Sequence, residues 1–222
     1  MKLAIIGYGK LGKAVVEIAV QNGWDIVAKV NEGDSWSPED WDADIVFESS
    51  TPESAVNNAL KCIAAGLPIV IGTTGWHEKL PELANTNGTV FYSTNFSIGV
   101  HLLNNVSKYM TRVMTQFPEY KASILEEHHM QKLDSPSGTA ITLSEVVKAE
   151  GADKDLEIIA TRKDGVVGKH ELCWVSEVDE LALRHEAISR KGFALGAFRA
   201  LNFLLKQENG VFTMNDMIAE IQ

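Results

Sequence analysis

Apolar and polar positions change in a regular rhythm along the first hundred residues. Short apolar runs at Lys2–Ile6, Asp25–Val30, Asp44–Phe47, Leu67–Ile71 and Thr89–Tyr92 read as strands. Three of the four stretches between them have helical spacing. One helix extends to Asn22, a second runs from Pro52 to Ala65 with Gly66 as its cap, and a third covers Trp76–Thr86. Strands alternating with helices predict a parallel, doubly wound sheet that binds ligands at the carboxyl ends of its strands.

The pattern changes after this. Ile98–Phe117 reads as one long helix, with Val100, Leu103, Val106, Met110, Val113 and Met114 as the expected core stripe and the methionines as core filler. A strand is expected over Tyr120–His129 and a helix over Ser137–Glu150. Three more strands follow at Leu156–Thr161, His170–Val178 and Glu180–Ser189, with Leu181, Leu183, His185 and Ala187 on one face of the last. Helical spacing returns in Lys191–Gln207, and Thr213-Met214-Asn215-Asp216 has the form of a capping signal for a final helix. No strand is expected between these two helices, which should pack back on the first domain. The expected fold class is α/β. A Rossmann-like doubly wound sheet, completed by C-terminal helices, occupies residues 1–97 and 190–222. An α+β domain with a mixed, mostly antiparallel sheet occupies 98–189.

Composition narrows the functional classes. With 222 residues, 45% hydrophobic and 23% charged, the chain is that of an ordinary globular protein. No apolar run approaches the roughly 18 residues that would span a bilayer. The N-terminus runs straight into a glycine motif and has no signal-peptide pattern. Cys62 and Cys173 stand far apart without metal-ligand spacing, so a reduced, cytoplasmic setting and no metal are expected. A net charge of −10 argues against a nucleic-acid or membrane-surface partner. It would repel an anionic ligand too, so local cations and helix N-termini must outweigh the global field at short range.

Two regions carry candidate chemistry. Gly7-Tyr8-Gly9-Lys10-Leu11-Gly12 joins a strand to a helix as a dinucleotide-binding turn does. Gly7 makes the tight turn, Gly9 admits a pyrophosphate, and Gly12 lets helix and strand pack closely. Asn31 and Glu32 end the second strand, where a ribose-binding acid belongs. Ser49, Ser50, Gly72, Thr73, Thr74, Thr94, Asn95 and Phe96 fall at later strand ends on the same edge. In the second region, His128 and His129 can move protons near neutral pH, and Lys132 is a cation or general acid. The amides of Ser137, Gly138 and Thr139 open a helix and form an anion site. His101, His170 and His185 are scattered without ligand spacing, and Ser137 has no hydrolase elbow around it. This region suits a small dicarboxylate that receives a proton.

The run Glu127-His128-His129-Met130-Gln131-Lys132-Leu133-Asp134-Ser135-Pro136-Ser137-Gly138-Thr139-Ala140 resembles the signature of the 4-hydroxy-tetrahydrodipicolinate reductase (dihydrodipicolinate reductase) family. The resemblance continues in Gly72–Gly75, Asn95–Gly99, Ala187–Arg190 and Phe193–Ala197, so it covers essentially the whole chain in the family's compact form. It implies an NAD(P)H-dependent reductase of diaminopimelate and lysine biosynthesis, with hydride passing from nicotinamide C4 to C4 of a cyclic dicarboxylate. His128 would be the general acid or proton relay, and Lys132 would hold a carboxylate or donate the proton. His129, Ser137, Gly138 and Thr139 would bind carboxylates. A homotetramer built through the sheets of the second domain is implied, with a hinge near Asn95–Ile98 and Ser189–Lys191.

The chain departs from the family pattern at the coenzyme end. Its glycine turn is one residue shorter, and Lys10 stands where an arginine is usual. Asn31 replaces the usual acid, with Glu32 beside it, and Thr51 replaces an arginine that often holds a 2′-phosphate. This combination favours NADH over NADPH, with Lys10 and Lys29 as cations that still attract a phosphate. Two other readings remain open, a different two-domain dehydrogenase and a nucleotide-sensing module. The second gives His128 and Lys132 no role.

Overall fold

A computed structural model describes residues 1–220 and divides the chain into two compact units, Met1–Ser97 with the segment from Lys191 onward, and Ile98–Arg190. The chain begins β1 (Lys2–Ile6), α1 (Lys10–Gln21), β2 (Asp25–Val30), β3 (Ile45–Glu48), α2 (Pro52–Ala64), β4 (Ile69–Ile71), α3 (Leu80–Ala84), β5 (Thr89–Tyr92) and α4 (Ile98–Met114). It continues with β6 (Lys121–His128), α5 (Gly138–Ala149), β7 (Glu157–Arg162), β8 (Gly168–Val175), β9 (Glu180–Ala187), α6 (Lys191–Leu204), β10 (Gly210–Phe212) and α7 (Met214–Ala219).

The first unit is built on a six-stranded parallel sheet in the order β10-β5-β4-β3-β1-β2. Its inner strands are apolar runs because both faces are covered: every residue of β3 and β4 is buried. Edge strand β2 alternates exposed and half-buried positions instead. Ala4, Ile6, Val46, Ile69, Ile71 and Val90 pack with Ala55, Ala59 and Cys62 of α2. Phe203 of α6 meets Phe91 of β5 edge to face, with ring centroids 5.9 Å apart.

Two expectations for this unit are corrected. A strand, β10, does lie between the last two helices and extends the sheet by pairing in parallel with β5, Phe212 opposite Phe91. Three residues are too few to show a period, and the sheet partner supplies what the local pattern lacks. The single helix expected over Trp76–Thr86 is a 3₁₀ turn at His77–Lys79 followed by α3. Pro81 has no amide to continue a helix from its upstream turn, so it sits in the first turn of a new one. At α7, the capping box of Thr213 and Asp216 is present.

The second unit is a four-stranded sheet in the order β7-β6-β8-β9, parallel only between β6 and β7. Leu103 and Met114 of α4 and Leu143 and Val147 of α5 pack on Ile124, Leu172 and Trp174. The stripe predicted for α4 is partly wrong. Val100, Leu103, Ser107, Thr111 and Met114 are buried, whereas Val106 and Val113 are 47% and 41% exposed. Helical spacing from Val100 and Leu103 reaches Ser107 and Thr111 next, so two small hydroxyl residues enter the core and the valines turn away.

Close packing around α6 makes a testable contrast. A Cβ on Gly196 would lie 1.8 Å from the Phe96 carbonyl oxygen, whereas one on Gly192 would meet nothing within 4 Å. Gly196→Ala is expected to lower the urea midpoint, at a cost of roughly 1–3 kcal/mol or more from overpacking. Gly192→Ala is expected to leave the midpoint unchanged or raise it by up to about 1 kcal/mol through helix propensity.

Candidate active site

Strand β6 delivers the histidines. Its alternation sends Ile124, Glu126 and His128 inward, while His129, just past the strand, is half-buried. His129 Nε2 lies 3.3 Å from a guanidinium nitrogen of Arg190. A turn closed by the Lys132 amide on the His129 carbonyl, at 3.1 Å, brings Lys132 back near the strand end. Arg162 of β7 secures this turn from the side. It donates to the Lys132 carbonyl at 3.3 Å and the Asp134 carbonyl at 2.5 Å. The Lys132 ammonium is paired with both carboxylate oxygens of Asp134, at 2.8 and 2.9 Å. That pair holds the Asp134 carboxyl below the usual range, with a contribution from the Gly138 amide. In this structure a carboxylate of the chain therefore rests between Lys132 and the opening of α5.

The centre of the cluster is a residue the motif reading did not single out. Glu126 is 2% exposed. Its carboxylate accepts the Ser137 amide at 3.1 Å on each oxygen, and the Ser137 hydroxyl as well. The Arg162 guanidinium lies 3.5 Å away. His128 Nδ1 and His170 Nε2 stand 3.6 and 3.8 Å from the same carboxylate oxygen. Ser137, expected to bind a carboxylate, has both its amide and its hydroxyl on a carboxylate of the chain itself. Its hydroxyl donates to Glu126 and accepts from the Ala140 amide at 3.2 Å, and His170 Nε2 lies 3.2 Å from the same oxygen. Gly138 is exposed, with its amide toward Asp134, and Thr139 is half-buried.

His170 is not the scattered residue its sequence position suggested. Cross-strand register sets it opposite Glu126 on one side and His185 on the other, and its ring centroid is 5.0 Å from that of His128. Burial, then the neighbouring His128, pushes the His170 imidazole down to about 4. Burial also lowers His128; Glu126 opposes this, while Lys132 and Arg162 reinforce it. Glu126, His128 and His170 bring three ligand-type atoms within 4.8 Å of one another. With Ser137 bonded to both oxygens of Glu126 and a guanidinium beside them, the group is a hydrogen-bonded carboxylate with imidazole neighbours. A dication would have to displace those donors.

Glu126 was legible in one respect: it lies two residues before His128, so a strand must put both on one face. Arg162 and His170 left no such local sign, because strand pairing alone brings them there.

In the first unit the remaining candidates gather at the carboxyl edge of the parallel sheet. Gly7 has φ +87°, and a Cβ there would meet the Ser49 carbonyl oxygen at 2.3 Å. A Cβ on Gly12 would meet the Gly7 oxygen at 2.3 Å, so both turn and packing demand glycine. Around Gly9 nothing lies within 4 Å of a Cβ. Gly9 is the N-cap of α1, and no side chain caps that helix and no acid occupies its first turn, where Lys10 and Leu11 begin the helix. An uncapped helix N-terminus with open space before it fits a pyrophosphate. Ser49 bonds the Gly7 carbonyl at 2.9 Å, and Ser50 bonds Glu48 through its amide at 3.0 Å and through its hydroxyl.

Asn31 accepts the Tyr8 amide at 3.2 Å, while Glu32 is exposed beside it. The Lys29 and Lys13 ammoniums lie 4.9 and 5.6 Å from the Tyr8 ring centroid. Thr74 and Thr94 are exposed, and Gly72 and Asn95 half-buried; Thr73 is buried, its carbonyl held by the Trp76 indole at 2.8 Å. Phe96 turns its ring into the core against Phe47 and Phe91. Only its backbone is left to face a ligand.

Known proteins match both units. The N-terminal family model of dihydrodipicolinate reductase matches residues 1–96 and the C-terminal one residues 99–218. The 4-hydroxy-tetrahydrodipicolinate reductase of Christiangramia forsetii is 35% identical, covering 100% of this chain and 99% of its own. That of Thermosipho africanus is 31% identical over 99% of each. Among solved structures, the dipicolinate-bound dihydrodipicolinate reductase of Paenisporosarcina sp. superposes with a TM-score of 0.80 at 21% identity, covering 98% of this chain and 99% of that one. An aspartate dehydrogenase from Thermotoga maritima shares the fold more distantly, with a TM-score of 0.54 at 18% identity over 92% of this chain and 96% of its own. Both halves of the sequence, in order and over nearly their whole length, therefore place this chain in the dihydrodipicolinate reductase family.

Proposed function

We infer that this chain is an NAD(P)H-dependent oxidoreductase that reduces 4-hydroxy-tetrahydrodipicolinate to tetrahydrodipicolinate in diaminopimelate and lysine biosynthesis. The observation that carries this reading is the cluster at the end of β6. It sets a buried imidazole next to an ammonium that already holds a carboxylate, within the segment the family shares. The first unit is the coenzyme domain and the second the substrate domain. The open glycine turn and uncapped α1 fit a dinucleotide pyrophosphate. When bound, the nicotinamide supplies a hydride from its C4 to C4 of the substrate.

The chain's own residues do the rest. Lys132 exchanges the Asp134 carboxylate for one of the substrate's, and the amides of Gly138 and Thr139 with His129 hold the anionic groups. Charge-assisted bonds of this kind contribute roughly 1.5–3 kcal/mol each, enough for three or four to offset the repulsive net charge. The 4-hydroxyl leaves as water together with a proton from the adjacent ring carbon, which opens a double bond at C4 conjugated with the imine. The hydride then adds at C4, and His128 donates a proton to that neighbouring carbon. The net change is one hydride and one proton taken up and one water released. The enclosed His128 Nδ1 faces Glu126, so Nε2 is the nitrogen left to serve the substrate.

At the coenzyme end, Ser49, Ser50, Gly72, Thr73, Thr74, Thr94, Asn95 and the Phe96 backbone line the strand ends. NADH is the preferred coenzyme. Glu32 ends β2 where a ribose diol is held, and the nearby Lys29 and Lys13 lie against the Tyr8 ring. A cytoplasmic setting suits the two free, buried cysteines, and among the described residues no helix is long and apolar enough to cross a membrane. The active form is a homotetramer. The sheet face turned away from α4 and α5 carries Leu125, Ile159 and Val175, the last two 39% and 41% exposed.

Three outcomes are expected. His128→Gln lowers kcat by about 10²–10⁴-fold with KM little changed, as loss of a proton donor should. Lys132→Ala raises KM by about 10–100-fold, and neither variant alters coenzyme affinity in calorimetry. The reverse split would exchange the two roles, and wild-type protein that oxidises neither coenzyme with the substrate would end the reading. Glu32→Gln narrows the NADH-over-NADPH ratio of kcat/KM by about tenfold, the loss of one charged hydrogen bond; an unmoved ratio removes Glu32 from coenzyme choice. Light scattering gives four times the 24.3 kDa chain mass, and a monomer or dimer at working concentration contradicts the tetramer.

A further inference from the structure

Glu126 is a charged side chain enclosed by the second unit, and neither hydride delivery nor carboxylate capture uses it directly. A carboxylate removed from water is tolerated only with donors around it. Two donors come from Ser137 and a guanidinium comes from Arg162. That would suffice for a structural anchor. The remaining neighbour is informative: His128 Nδ1, at 3.6 Å from Oε2, is buried with no hydrogen-bond partner. A distance of 3.6 Å is too long for a formed bond. It is within the range that closes when a site fills, since catalytic hydrogen bonds are often long before substrate binds.

We propose that Glu126 is a positioning residue for proton transfer: it orients the His128 ring through Nδ1–H, supports its imidazolium form, and so leaves Nε2–H as the acid. The inference rests on the proton-donor role given to His128 above.

The surroundings leave Glu126 as the main support for that cation. Facing His128 are Glu126 from its own strand, Arg162 from β7, His170 from β8, and Lys132 and Asp134 from the turn after β6. Arg162 and Lys132 oppose a positive ring, as burial does. His170, held near 4, is neutral at neutral pH and neither competes as a cation nor cancels the Glu126 charge. Asp134 is exposed and already paired with Lys132. Only Glu126 combines a negative charge with burial and a fixed position. On the far side of the ring, Gly168 offers no Cβ, and one placed there would stand 3.1 Å from Nε2. The ring thus has a carboxylate beside Nδ1 and a glycine, with no side chain, beside Nε2.

The sign of the pH effect follows. A general acid works protonated, so turnover falls as pH rises through the His128 pKa. Replacing Glu126 with glutamine removes the charge that raises this pKa. The alkaline limb of the kcat profile should therefore move to lower pH, by about one unit for an opposite charge lost at this distance. Ser137→Ala loosens the same turn but leaves the Glu126 charge, so its limb should stay in place. A limb unmoved in E126Q, or moved equally in S137A, would reduce Glu126 to a structural anchor.

A second measurement needs neither a variant nor turnover. Nitrogen-15 spectra of the imidazoles in the resting wild-type protein should show neutral His128 as the Nδ1–H tautomer, and an Nε2–H tautomer overturns the proposal. Because no substrate is present, this result stands apart from the fate of the reductase reading.

Discussion

Burying the Glu126 carboxylate at 2% exposure requires donors against both its oxygens, and the structure meets that requirement with elements far apart in the chain. Ser137 supplies an amide and a hydroxyl from the start of α5, and Arg162 a guanidinium from β7. Satisfying one anion thereby brings together the end of β6, the turn carrying Lys132 and the opening of the helix. Breaking one such contact would leave a charge with too few partners in a low-dielectric surrounding, which is far more costly than losing an exposed ion pair. The site inherits its order from this constraint.

The two units answer the problem of anion binding differently. In the first, glycines clear the space: the close approach of Gly7 and Gly12 leaves no room for side chains, and α1 begins without a capping residue. Its positive end is therefore free for a ligand. In the second, the helix opening is already crowded by the chain's own carboxylates, Glu126 on Ser137 and Asp134 on Lys132. The buried one is part of the fold. The other is exposed. An acidic protein thus keeps the cations of this site in place, because its own local anions pair with them.

Much of this is legible in the sequence. The glycine turn, the strand ends and the His-Lys segment all lie in contiguous stretches, where residue type and local period carry the information. Errors arose where the deciding partner was remote. β10 is three residues long and is a strand only because β5 lies beside it. The buried face of α4 takes in Ser107 and Thr111, which no hydrophobic pattern would choose over Val106 and Val113. Likewise nothing local to Ser137 announces that Glu126, eleven positions earlier, meets its amide and hydroxyl.

The sequence by itself determined the alternation of strands and helices, the dinucleotide turn, and the family through a motif unbroken from Glu127 to Ala140. These are properties of neighbouring residues, set by backbone period, glycine sterics and side-chain type. Only the tertiary structure decided which histidine is a neighbour of His128, where Arg162 applies its charge, and which donors of the helix opening remain for a substrate. Those depend on strand register, which sets Glu126 opposite His170 across β6 and β8. Register is chosen by the burial of whole faces, and no short segment contains that choice.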